Sequence, residues 1–139
     1  MTLNENYKPL SAYLLNFFRS IENMPEIGCE RLEKKCGTAS LKMINNGSRR
    51  TEWLDGTVSV RQNFEISYRT AGNDSASRIN ALKFLEQLAR ILEHTTEMDI
   101  GSERMFIKVF RTDFPVMSVR CTGGEEEYSI VFQLMYVEI

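Results

Sequence analysis

The chain predicts an α+β fold: a mostly antiparallel sheet with two helices packed on one face, in the order α-β-β-β-α-β-β-β. Three observations lead there. From Gly56 to Thr70, "GTVSVRQNFEISYRT" alternates with a period of two. Val58, Val60, Phe64, Ile66 and Tyr68 fall on one face, with Gln62 the single polar exception. Thr57, Ser59, Arg61, Asn63, Glu65, Ser67 and Arg69 fall on the other. Two further stretches, one near the N-terminus and one after Thr70, repeat instead at the helical period. Short turn signals separate the remaining strand-like runs. Strands joined that way pair antiparallel, because a parallel crossover needs a dozen or more residues.

The first helix is predicted over roughly Tyr7 to Glu22, where Tyr7, Leu10, Leu14, Phe17, Phe18 and Ile21 share a stripe. Pro9 is tolerated in a first turn, and Asn6 is placed to cap it. "ENMPEIGCERLEKKCGT" reads as a connection, because Pro25, Gly28 and Gly37 interrupt it. "ASLKMINN" reads as a strand closed by a hairpin turn at Asn46-Gly47, with "SRRTEWL" as its partner. Asp55-Gly56 then supplies a second tight turn before the long alternating strand.

"AGNDSASR" breaks the strand and offers Asp74 or Ser75 as a cap. In the second helix Ile79, Leu82, Leu85, Ala89 and Leu92 form the apolar stripe, widened by Phe84 and Leu88. Arg78, Lys83, Gln87, Arg90 and Glu93 line the wet side. "TTEMDIGSE" reads as a loop. "RMFIKVFR" and "PVMSVRC" read as strands, and "TGGEEE" turns into the last one, "EYSIVFQLMYVEI". Tyr128, Ile130, Phe132, Leu134 and Tyr136 share its inner face. Its other face carries Val131, Met135, Val137 and Ile139, an apolar row that calls for a partner unless the same chain covers it.

Bulk properties bound the function classes. A length of 139 residues fits a single domain, residues 1–139, able to bury a core without disulfide or metal. The net charge is −2, from 17 basic and 19 acidic residues well mixed along the chain, so the basic excess of a nucleic-acid binder is missing. No apolar run approaches the roughly 20 residues of a membrane span, and "MTLNENYKPL" lacks the pattern of a signal peptide. Three cysteines without framework spacing predict reduced thiols in a cytosol. The expectation is a soluble intracellular domain.

Candidate chemical sites are few. His94, the only histidine, ends the second helix, where a cation suits the helix dipole. Cys29 and Cys36 are separated by six residues and have no further ligands nearby to complete a zinc site. Cys121 lies in a strand pattern and reads as a small buried hydrophobe. No GxSxG elbow surrounds a serine, and Gly123-Gly124 lacks the rest of a phosphate loop. Glu125, Glu126 and Glu127 either gather a cation or form a solvated turn guarding a sheet edge, the second being commoner. Arg49, Arg50, Arg61, Arg69 and Arg120 are interleaved with Glu52, Asp55 and Glu65, which favours a mixed-sign protein interface over phosphate recognition. Trp53 reads equally as a binding anchor or as core. Neither an enzyme, nor a cofactor, nor a metal is expected.

One pattern is more specific. "RRTEWLDGTVSVRQNFEISYRTAGNDSASRINALKFLEQLARIL" resembles a stretch of the tail terminators, also called minor capsid proteins, of siphophages and prophages of Gram-positive bacteria. A strand closed by a hydrophobic-Asp-Gly turn, an Arg-Gln-aromatic strand, a polar break and a Phe-Leu-Glu helix follow one another in both. "EEEYSIVFQLMYVEI" is similar to the family's closing strand, and "LSAYLLNFF" fits its first helix. "IGSERMFIKVFRTDFPVM" departs, lacking the Leu-Pro pair usual there.

The resemblance implies a structural virion protein in the tail or neck, assembled in the cytoplasm of the host bacterium. Its copies would close into a homo-oligomeric, typically hexameric ring on the head-proximal end of the tail tube. The ring's partners would be the major tail tube protein and a head-completion protein, with no membrane and no sequence-specific nucleic acid. A ring needs head-to-tail contacts. The outward row Arg61, Asn63, Glu65, Ser67 and Arg69, with Trp53, is expected to line a subunit contact rather than the lumen, because its charges are mixed. The alternatives are a head–tail connector or head-completion protein, and a non-viral small-molecule or protein binding module.

Overall fold

A computed structural model describes residues 1–30, 35–72, 74–121 and 123–139. The elements are α1 (Leu10–Arg19), β1 (Ile27–Cys29), β2 (Ala39–Glu52), β3 (Val58–Thr70), α2 (Ser75–Glu93), β4 (Arg104–Arg111), β5 (Val116–Arg120) and β6 (Glu126–Glu138). The order is the expected α-β-β-β-α-β-β-β and the class is α+β. All strands join one sheet in the order β1-β2-β3-β6-β4, with β5 pairing β6 beyond the end of β4. Every pairing is antiparallel except that of β1 with β2.

The three strands before α2 are not the three expected. Asn46-Gly47 makes no hairpin. β2 runs through it as one strand, and the pairing slips between Ile44, opposite Asn63, and Arg49, opposite Arg61. Residues Asn45 to Ser48 therefore bulge out against Gln62 alone. Gly47 adopts φ +81° there, the same left-handed preference that makes Asn-Gly a hairpin signal. The reversal occurs at Asp55-Gly56, where Gly56 N–H donates to Trp53 O and Trp53 N–H to Thr57 O. The third strand comes from the presumed connection: Ile27–Cys29 runs parallel to Ala39–Leu41 at the sheet edge.

The bulge also explains Gln62. Its amide nitrogen donates to Ile44 O at 3.1 Å, Ser48 Oγ at 3.3 Å and Asn63 O at 3.0 Å, replacing ladder bonds that the bulge removes. The one polar residue on an apolar face sits where the sheet is broken.

Both helices pack on one face. α1 lies over β1 and β2, α2 over β3, β4 and β6. Phe18 of α1 meets Phe64 edge-on at 6.0 Å, and Phe64 stacks on Phe132 at 5.5 Å. Tyr68 meets Phe84 of α2 at 5.0 Å. Leu14, Leu41, Ile66, Leu85, Leu92, Ile130 and Leu134 complete the core. Helix details meet expectation at one cap and depart from it elsewhere. α1 starts at Pro9 rather than at an Asn6 cap, with no side-chain cap bond. α2 is capped by Asp74, whose carboxylate accepts from Ser77 N–H at 2.7 Å. Its buried residues are Ala81, Leu85, Leu88, Ala89 and Leu92; Ile79, roughly 120° round the helix from Leu85, is exposed.

Candidate assembly interface

Directly paired residues share a face, so the register defines the outer side of the sheet. It carries Ser40, Lys42, Ile44, Arg49 and Thr51 from β2, and Ser59, Arg61, Asn63, Glu65, Ser67 and Arg69 from β3. From β6 it carries Glu127, Ser129, Val131, Gln133, Met135 and Val137. Neither helix reaches this side. The bulge Asn45–Ser48 folds over its centre: Asn63 Nδ2 donates to Asn46 O at 3.0 Å, and Gln133 Nε2 donates to Asn63 Oδ1 at 2.9 Å. A Cβ on Gly47 would collide with the Asn63 amide.

The expected interface row therefore divides. Asn63 is buried beneath the bulge, and its side chain is fully engaged within the chain. Arg69 is held between two carboxylates, Nη1 to Glu125 at 3.0 Å and Nη2 to Glu127 at 2.6 Å. The Glu127 hydrogen bond, outweighing burial, raises its already high pKa further. Glu65 is half-buried and accepts from Ser67 Oγ at 3.2 Å. Arg61 is exposed, and Trp53 is 57% exposed on this same side, which removes the core reading of the tryptophan. Trp53 and Arg61 are the members free to meet another molecule.

The glutamate turn has a role that neither expectation covered. Glu126 is buried, not solvated: Arg78 Nε reaches it at 2.9 Å, Arg120 Nη2 at 3.2 Å and the Tyr128 hydroxyl at 3.3 Å. Burial pushes this carboxyl up, but the Arg78 hydrogen bond and charge, aided by Tyr128 and Arg120, hold it below the ordinary glutamate value of 4.5. Its ionised form thus stabilises the fold fully above that value, and the contribution fades as pH falls below it. Wild type is expected to exceed Glu126→Gln in urea stability at pH 7, and the gap should shrink steadily under acid titration below pH 4.5. A gap that is constant or widens in acid contradicts this. Arg120 faces Glu126 across the β5–β6 turn, but Arg69 and Arg78 lie 48 or more residues away in sequence, so no local signal announced their pairing.

The margins are more open than the face, where Ser40, Asn63, Ser67 and Ser129 are buried. β2 has β1 beside it only at Ala39–Leu41; from Lys42 to Glu52 its outer edge has no strand partner among the described residues. β4 and β5 form the opposite margin. Every residue of β5 is exposed, including Val116, Met117 and Val119, and Met105, Ile107 and Phe114 are exposed nearby. Exposed Lys108 and Arg120 are the charges on this margin, and the apolar stretch Val116–Val119 between its turn and Arg120 is a template for pairing with another chain.

Other features are chemically quiet. His94 is the α2 C-cap, its Nδ1 2.8 Å from Arg90 O. Cys29 and Cys36 are exposed, and Cys121 is half-buried with Sγ 3.8 Å from Glu127 Oε1, not the buried hydrophobe expected. Among the described residues no group of three His, Cys, Asp or Glu side chains could hold a metal ion, and no helix is long and apolar enough to cross a membrane. No protein-family model matches the chain, and no curated protein matches it in sequence.

Proposed function

We propose that this chain is a tail terminator: a structural virion protein whose copies close into a ring, of six subunits in the family it resembles, on the head-proximal end of a phage tail tube. The observation that carries the reading is the one-layer sheet, with helices on one side only, an outer face that no helix covers, and a strand edge at each margin that has no strand partner among the described residues. A ring requires that two different surfaces of one subunit meet across each contact. The β2 margin and the β4–β5 margin are two such surfaces, and strand addition between them joins subunits through backbone hydrogen bonds. Arg61 and Trp53 then lie beside the joint. The tail tube protein and a head-completion protein are the other partners that this role requires.

Electron microscopy of particles lacking the protein tests the role. Overlong tails are expected, because nothing stops the tube from growing. Tails of normal length detached from heads would assign the chain to the connector class instead.

A further inference from the structure

Within the open face one spot has a built chemistry. Arg49 and Arg61 are direct cross-strand partners, and both point to the outer side. Like charges set opposite each other destabilise a sheet unless something compensates them. Arg50, Arg69, Arg78, Arg111 and Arg120 each have a carboxylate oxygen within 2.6–3.3 Å, and Arg19 and Arg104 donate to the backbone carbonyls of Ile27 and Ile100. Among the described residues no carboxylate lies within ion-pair reach of Arg49 or Arg61.

The two guanidinium groups, with Thr51, Trp53 and Ser59, line a shallow pocket of about 230 Å³. Trp53 Nε1 donates to Ser59 Oγ at 3.0 Å, which holds the indole across the outer face as one wall. Leu54, beside it at the hairpin tip, is wholly exposed. Two planar forks and two hydroxyls against an aromatic wall suit a small planar oxyanion attached to an apolar neighbour.

We propose that this pocket receives the carboxylate of an Asp or Glu side chain on a partner polypeptide, with an apolar residue of the same segment resting on Trp53 and Leu54. The inference rests on the interface reading above and names the chemistry that the interface grips. A polypeptide fits better than a nucleic acid. The pocket is lined by two cations only, and the net charge of the chain is −2, so a nucleic acid would find no run of cations to follow its phosphates beyond the pocket.

Trp53 is the only tryptophan, so its emission reports on the pocket alone. The probe is a capped peptide of alternating glutamate and leucine, titrated into the full chain. A saturable change in emission is expected, weakened by salt and weaker by about tenfold in either Arg49→Gln or Arg61→Gln. Both positions are exposed, so the variants should melt like wild type, and circular dichroism checks this. An equal response to the glutamine version of the peptide, saturation by inorganic phosphate at the same strength, or tighter binding of an oligonucleotide overturns the proposal. Sedimentation of the same samples separates the two readings. Peptide binding by a chain that never forms rings keeps this inference and removes the ring; a ring whose pocket ignores the peptide does the reverse.

Discussion

Phe64→Ala should cost about 3–5 kcal/mol, the largest loss expected from any single truncation in this chain. Phe64 is fully buried at the centre of β3, between Met43 of β2 and Phe132 of β6 in the sheet. Its ring joins the two layers, edge-on to Phe18 above and stacked on Phe132 beside it. Removing it leaves a void that two strands and a helix must close together, and a paired sheet closes poorly. A domain of this size has a total stability of roughly 5–15 kcal/mol, so the variant should be marginal. Urea denaturation measures it. A loss below about 1 kcal/mol would mean that the Phe18–Phe64–Phe132 contact does not organise the core.

Arg69→Ala should cost about 2–3 kcal/mol, although Arg69 belongs to the outer face. Its side chain is only 12% exposed, while Glu125 and Glu127 beside it are 35% and 19% exposed. Deleting the guanidinium leaves two carboxylates close together with no cation between them. The cost falls below that of a wholly buried pair because water reaches Glu125. Its Nε has no hydrogen-bond partner among the described residues, so the bonds to the two glutamates carry the interaction. Arg61→Glu offers the contrast: same strand, same face, no carboxylate partner among the described residues, and a stability change expected within about 0.5 kcal/mol. If Arg69→Ala proves equally mild, the division of the row into structural and available members is wrong.

That division marks the boundary of what the residues disclosed in order. Strict alternation from Val58 to Thr70 placed the long strand and its two faces, because a period of two leaves no freedom once one face is apolar. It could not show that Asn63 lies under a bulge, since Asn-Gly serves a hairpin and a bulge through the same left-handed glycine. The clue was Gln62, whose break in the apolar face marks the slip in register. β1 was hidden for another reason. Three residues, Ile27, Gly28 and Cys29, are too few to show a period, and only their pairing with Ala39, Ser40 and Leu41 of β2 makes them a strand. The glutamate turn misled because a run of charge looks solvated until remote arginines fold onto it. Trp53 and Arg61 were legible as candidates and are both exposed, and Arg49 joins their pocket only once the register sets it opposite Arg61.

Sedimentation velocity of the purified chain, alone and with a tail tube protein, and of its Arg61→Glu variant tests the claim that the open face and margins meet other copies. The account predicts a closed species of fixed size, several times the 16.1 kDa protomer, that weakens or vanishes in Arg61→Glu while the protomer stays folded. A chain that sediments as a single protomer at every concentration, with the tube protein present as well as without it, would contradict it.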